Sequence, residues 1–272
     1  MEIQQYGNFL KKTYYDDFST LLDQFYFERD RQLRAKRKAG DLLKAVHTLR
    51  ERTARKINNQ KAELDACENK EQLRVFAELI NANQYVLGKG VSFYDLENYY
   101  ENNALVRIPV SPALTPAQNA QKYYKAYKKE HTAEKMLQQL IDKGEQEIVY
   151  FDSVLDALSR AETENELAQI RQELIDGGYL KRKKGGKQRL PKELPPYSFK
   201  VADDFTVLVG RNNVQNDKLT LKTAKNYDLW LHTQNFAGSH TILVSDRREF
   251  TNKAIEEAAQ IAAYFSSARE AK

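Results

Sequence analysis

Cysteine occurs once in 272 residues, at Cys67, which excludes an internal disulfide framework and sets a reducing compartment as the expectation. Proline is scarce, and none lies between Phe25 and Ala82, where Gly40 is the one glycine. No apolar run approaches the roughly 18 residues that a membrane span needs. The opening Met-Glu-Ile-Gln-Gln-Tyr has neither the basic start nor the apolar core of a secretory signal. A cytoplasmic location is therefore expected, with a cell-surface location lacking a recognisable signal as the alternative. Also missing are a nucleophile motif, a phosphate-cradling glycine loop and a cysteine cluster. Neither catalysis nor a metal nor a cofactor is expected.

Charge is abundant: 43 Lys/Arg against 38 Asp/Glu, a net +5. That mildly favours an anionic partner, and its placement matters more than its sum. Residues 28–61 hold twelve basic and four acidic residues, whereas residues 134–176 hold four basic and eleven acidic. Residues 25–82 read as one long helix, with Ala39, Leu43, Val46, Thr53, Ile57, Leu64 and Cys67 at steps compatible with a heptad seam. A helix that long needs a partner. Thr115-Pro116 starts it, with proline at the first helical position. The returning track then runs through Tyr124, Tyr127, Leu137, Leu140, Ile148, Phe151, Leu155 and Leu158. A further helical piece, Glu164 to Ile175, ends at Gly177-Gly178. The result is an antiparallel helical hairpin, a coiled coil whose basic and acidic arms neutralise each other.

Residues 83–114 form the tip. Val91 to Tyr100 and Ala104 to Val110 read as strands around an Asn102-Asn103 turn. Beyond it, Gln121-Lys-Tyr-Tyr-Lys-Ala-Tyr-Lys-Lys129 faces no acidic stretch. Lys122, Lys125, Lys128 and Lys129 can meet phosphates and Tyr123 can stack on bases, with Arg107 on the neighbouring strand. The alternative is that the tyrosines are tip core and the lysines merely solvated.

Residues 179–196 are a basic linker. Lys181, Arg182, Lys183 and Lys184 begin a run of seven basic residues between positions 181 and 192 with no acidic one. It is either a solvated spacer or an electrostatic tether to phosphate. Residues 197–272 read as a small α+β domain. Tyr197 to Val201 and Phe205 to Val209 form a hairpin, Asn216-Asp217 caps a short helix from Lys218 to Ala224, and Thr251 caps a final helix. Asp228-Leu-Trp-Leu-His232 alternates as a half-buried strand, and Gly238-Ser239 is read as a turn before His240 opens the next strand.

Three blocks of this last domain, Gly210-Arg-Asn-Asn-Val-Gln-Asn-Asp217, Asp228-Leu-Trp-Leu-His232 and Gly238-Ser-His240, resemble the NFACT-R module in order and spacing. Phe25-Tyr-Phe-Glu-Arg-Asp30 resembles the start of the NFACT coiled coil. Glu97-Asn-Tyr-Tyr100, Ile108-Pro109, Leu114-Thr-Pro116 and Asn119-Ala-Gln121 resemble its tip and return. The resemblance covers nearly the whole chain. It implies an α+β protein: a long helical hairpin with a small β-containing tip, followed by an NFACT-R domain. It also implies a ribosome quality-control factor that binds a stalled large ribosomal subunit carrying peptidyl-tRNA and directs untemplated alanine tailing. In that family an N-terminal domain and a helix-hairpin-helix region carry the tRNA work. Residues 1–24 read as the end of a preceding helical region, so the chain is expected to be a C-terminal portion, with the closing strands of NFACT-R absent.

The partners so implied are rRNA and ribosomal protein of the large subunit, and tRNA through the N-terminal half. An older family description implies a second class, an adhesin binding fibronectin or fibrinogen. Arg211, Asn212 and Asn213 can offer donors to phosphates or base edges, and Asn-rich turns also cap themselves. Asp228, Trp230, His232, Gly238, Ser239 and His240 either build the hairpin, with Trp230 as core, or form a binding surface.

Overall fold

The computed structural model describes residues 17–182 and 190–269. Tyr6, Phe9, Tyr14 and Tyr15, and the basic Lys183, Lys184, Lys187 and Arg189, lie outside the described residues. The chain divides into two compact units, Arg50–Tyr150 and Met1–Leu49 with Phe151–Lys272.

The first helix, α1, is Phe18–Ala66. A 3-10 turn, Cys67–Asn69, separates it from α2, Lys70–Ala82. The long helix read across residues 25–82 is thus interrupted. In the Arg50–Tyr150 unit, α1 and α2 run antiparallel to α3, Pro116–Arg160. The contacts descend in step: Thr53 bonds Glu147 at 3.0 Å, Lys61 pairs with Glu145 at 2.7 Å, and Lys70 pairs with Glu134. Lys61 and Lys70 of the outgoing helices thus meet acids of the returning one. Ile57, Cys67, Leu137 and Ile141 are buried, whereas Leu140, expected in the seam, is exposed. Gly144 sets the closeness of approach. A Cβ there would stand 2.8 Å from Cγ1 of Ile57.

The tip is a β-hairpin laid on the helices. Strand β1, Phe93–Asn98, pairs antiparallel with β2, Ala104–Pro109, in the register Asp95 to Arg107. Alternation turns Tyr94 and Leu96 inward with Ile108, against Leu79, Ile80 and Ala120. Asn102 and Asn103 hold positive φ, 50° and 58°, a conformation that asparagine tolerates. At the start of α3, Thr115 and Gln118 form a reciprocal cap, with Pro116 as the first helical residue.

In the other unit, helix α4, Glu164–Asp176, follows a capping box made by Thr163 and Glu166. Phe151, Val154, Leu158, Leu167, Ile170 and Leu174 are buried here, with Leu42 and Val46 of α1. Burying such side chains is worth about 1.5–3 kcal/mol each. Lys38 pairs with Glu164 at 2.8 Å, which carries the same charge matching into this unit.

The last domain is a four-stranded antiparallel sheet in the order β3-β4-β6-β5. These strands are β3 Tyr197–Lys200, β4 Thr206–Val209, β5 Leu229–Leu231 and β6 Thr241–Val244. Helix α5, Asn213–Lys218, runs into a π-helical turn, Leu219–Thr223. The cap is Asn212, four residues earlier than the expected Asn216, because Asn212 Oδ1 accepts from the Gln215 amide at 2.9 Å. Helix α6, Asn252–Tyr264, is capped by Thr251 and lies on one sheet face. Its Ala254 and Ala258, four residues apart on one face, pack with Phe205, Val207, Val209 and Leu243.

Candidate nucleic-acid interface

On α3, Lys122, Lys125, Lys128 and Lys129 are all exposed. Lys122, Lys125 and Lys129 fall at steps of three and four, so they share one face, with Lys128 beside them. None forms an ion pair with a described residue. The four ammonium groups thus stand along about two turns of helix, with no acid among the described residues paired to them. Tyr123 does not join them. It packs into the tip core, edge-on to Phe76 with centroids 5.6 Å apart, and its hydroxyl donates to the Pro109 carbonyl. The expected stacking role for Tyr123 is replaced by a structural one, because its position faces α2 and β2.

Arg107 is also engaged. Its guanidinium makes two bonds to Asp95 across the hairpin, at 2.8 and 2.9 Å, and lies 4.2 Å over the Phe93 ring. Asp95 is held below the usual carboxylate range by that pair. In the linker, Lys181 and Arg182 are exposed, with Arg182 3.3 Å from Asp176. Lys183 and Lys184 lie outside the described residues.

The expected RNA donors of the first block turn toward the protein. Arg211 pairs with Glu166 of α4, donates to the Pro195 carbonyl at 2.8 Å, and sets its guanidinium carbon 3.6 Å over the centre of the Tyr197 ring. Asn212 donates to Gln169 at 3.1 Å and Asn213 to Glu173 at 2.9 Å. Glu166, Gln169 and Glu173 occupy one face of α4, so the three residues dock the sheet domain onto that helix. A second anchor is Asp156, which receives Arg160 at 2.7 Å and Arg269 at 3.1 Å. Sequence reading missed both anchors. The Thr163-to-Glu166 spacing announces a capping box, but nothing local announces its second partner.

Burial alone would raise the Glu166 carboxyl. Hydrogen bonds from Thr163, Glu162 and Tyr197 override it and hold the group below its ordinary value.

The first and third blocks interlock. The Gly210 amide donates to the His240 carbonyl at 3.1 Å, and the Ser239 hydroxyl donates to the Gly210 carbonyl at 2.6 Å. The His240 amide donates to Asn216 Oδ1 at 3.1 Å. Gly238 is not the turn residue expected. It is buried against Ser266, where a Cβ would meet Ser266 Cβ at 2.8 Å, and the reversal instead uses Asn235 at φ 62°. Close backbone approach, not a left-handed conformation, is what demands glycine there. Asp228 accepts from the amides of Lys225 and Ser245, at 2.8 and 2.9 Å, and so ties the entry to β5 to the exit from β6.

Trp230 is not core. It is 48% exposed, on the sheet face opposite Leu229 and Leu231. His232 stacks parallel to it at 5.8 Å, and His240 meets it edge-on at 5.4 Å. Burial, reinforced by His232, pushes the His240 imidazole below its usual value. Among the described residues no group of three metal-ligating side chains exists.

A helical hairpin with a β tip, joined to a small sheet domain whose motif blocks lock together, defines the class. Residues 1–193 match the NFACT N-terminal and middle domains, and residues 196–272 match the NFACT protein RNA binding domain. The chain belongs to the NFACT family. It is 37% identical over 259 residues to the Rqc2 homolog RqcH of Bacillus subtilis (strain 168), covering 94% of this chain and 45% of that protein. It is equally 37% identical over 257 residues to the Rqc2 homolog RqcH of Streptococcus suis (strain 05ZYH33), covering 94% and 46%. The chain thus spans less than half the length of these relatives. Among solved structures it is similar to the C-terminal part of the fibronectin/fibrinogen-binding protein from Streptococcus suis. That likeness has a TM-score of 0.67 at 33% identity and covers 88% of this chain and 81% of that one.

Proposed function

We propose that this chain is the ribosome- and RNA-binding portion of an RqcH-like quality-control factor acting in the cytoplasm. It binds stalled large subunits carrying peptidyl-tRNA and supports tRNA recruitment for untemplated alanine tailing, as a binding module and not as an enzyme. The tRNA is recruited through the part of the relatives' length that this chain does not cover. The observation that carries the reading is the unopposed ridge Lys122, Lys125, Lys128 and Lys129. By contrast, Lys38, Lys61 and Lys70 of the hairpin are matched to acids. Unmatched lysines on a rigid helix are suited to the phosphates of rRNA, and each contact displaces condensed counterions. The match of residues 196–272 to an RNA binding domain supports the same reading.

Co-sedimentation with purified large subunits across a salt series tests it. Saturable binding that weakens steeply with salt is expected. With four phosphate contacts, raising salt from 50 to 200 mM costs roughly 50–150-fold in affinity. Absence of binding at low salt overturns the reading.

A second reading is attachment to fibronectin or fibrinogen at the cell surface. The similarity to the Streptococcus suis fibronectin/fibrinogen-binding protein favours it. Saturable retention on fibronectin-coated beads, with no subunit binding, would put it first.

A further inference from the structure

Trp230 is the chain's one tryptophan, and nearly half its surface is open. It sits on β5, the edge strand of the sheet. An indole left half-open on a sheet presents a flat apolar face that an occupant can cover.

Its surroundings are built to hold it still. The His232 ring lies within 10° of parallel to the indole. His240 stands edge-on to both rings, 5.4 Å from Trp230 and 5.7 Å from His232. His240 is itself fixed on three sides. Its amide is held by Asn216, its carbonyl by Gly210, and its Nδ1 shares a 2.7 Å hydrogen bond with the Thr220 hydroxyl. Thr220 lies in the π-helical turn, closed by the Ala224 amide bonding the Leu219 carbonyl at 2.8 Å. Such wide turns often occur at functional sites. Lys222 lies in the same turn and Lys225 just beyond it, both exposed and neither paired with a described acid.

We infer that Trp230 is a stacking platform for one unpaired nucleobase of single-stranded RNA, with His232 and His240 orienting the indole and Lys222 and Lys225 meeting the flanking phosphates. The inference rests on the RNA-binding reading and adds to it the base-recognition site. An open π face accepts the face of a base, which a duplex keeps stacked and a single strand exposes. The interlocked motif blocks thereby acquire a purpose beyond folding. They carry His240, and His240 sets the indole.

Because Trp230 is the single tryptophan, its fluorescence reports the platform directly. The full chain is titrated with a ten-nucleotide oligoadenylate and with an RNA duplex of the same length, and labelled-RNA anisotropy gives affinity independently. Saturable quenching by the single strand and not by the duplex is expected. Trp230→Ala weakens single-strand binding roughly 5- to 150-fold by anisotropy, and Trp230→Phe retains most of it. The side chain is exposed, so both variants keep the sheet core, and unchanged thermal unfolding confirms it. Fluorescence unmoved by RNA, with anisotropy binding the same in Trp230→Ala, overturns the platform and leaves RNA binding standing. Equal quenching by the duplex also overturns it. No RNA binding by either readout at low salt removes the RNA-binding reading and the platform together.

Discussion

A β-carbon on residue 210 would stand 2.0 Å from Asn216 Oδ1, so the contact between Gly210 and Asn216 exists only because Gly210 has none. That same oxygen accepts the His240 amide. Gly210→Ala must therefore push Asn216 off His240 and break the junction between the motif blocks. Strain of this kind typically costs about 1–3 kcal/mol, and the lost buried acceptor adds about 1–3 kcal/mol. Thermal unfolding of the sheet domain should show the loss. Wild-type stability in the variant would mean that the junction yields without cost.

The Arg211 clasp should be pH-sensitive in one direction. Glu166 is 6% exposed at its side chain and titrates below its ordinary value when folded. As pH falls, the unfolded chain takes up that proton first. The stabilisation is complete above the unfolded value of about 4.3 and is lost as pH falls through the folded value. Glu166→Gln should flatten the acid limb of a urea-midpoint profile between pH 6 and pH 3. An unchanged slope would exclude this carboxyl as a source of acid lability.

Removing the other partner should be worse than removing both. Arg211→Ala leaves a buried carboxylate without its counter-charge, a change that costs up to about 3–5 kcal/mol. Arg211→Lys keeps the charge but loses the fork and the stacking on Tyr197, so it rescues only part. Chemical denaturation of the two variants with Glu166→Gln/Arg211→Met gives the comparison. A double variant less stable than Arg211→Ala would contradict it.

Gly144 and Ile57 allow a test in which the sign changes. In an exposed helix interior Gly→Ala gains about 0.8–1 kcal/mol. Here the added methyl meets Ile57 Cγ1 at 2.8 Å. Gly144→Ala should destabilise the wild-type hairpin and stabilise an Ile57→Ala background, a coupling of the kind seen between touching residues. Additive effects would show that the helices separate freely.

Much of this was legible in the sequence, and the failures share a cause. Charge asymmetry located the antiparallel partner, since Lys38, Lys61 and Lys70 each find an acid on the returning arm. Period-two alternation found β1, β2 and β5, because one face of each is buried. What failed depended on partners distant in sequence. Arg211, Asn212 and Asn213 look like RNA donors until α4, about forty residues earlier, is seen to receive them. Trp230 reads as core by type, yet on an edge strand the described residues leave about half of it open. The break at Cys67–Asn69 carries neither proline nor glycine, so nothing local announces it.

The lysine ridge and the neighbouring tyrosine separate binding from folding on a single helix. Reversing Lys122, Lys125, Lys128 and Lys129 to glutamate touches only exposed side chains. Stability should move by no more than about 0.5 kcal/mol per site. The salt dependence of subunit binding should lose roughly 0.7–0.9 log units of slope per phosphate contact, about three in all. Tyr123→Ala should behave oppositely. It removes a ring packed against Phe76 and a hydroxyl bonded to Pro109, at a cost of about 3–5 kcal/mol if it truncates like a core aromatic, while leaving the charges in place. Co-sedimentation in a salt series, paired with thermal unfolding of the same proteins, distinguishes the two. If the charge-reversed chain keeps both its affinity and its slope, the ridge does not face phosphate, and the cationic residues of the 181–192 segment become the next group to reverse.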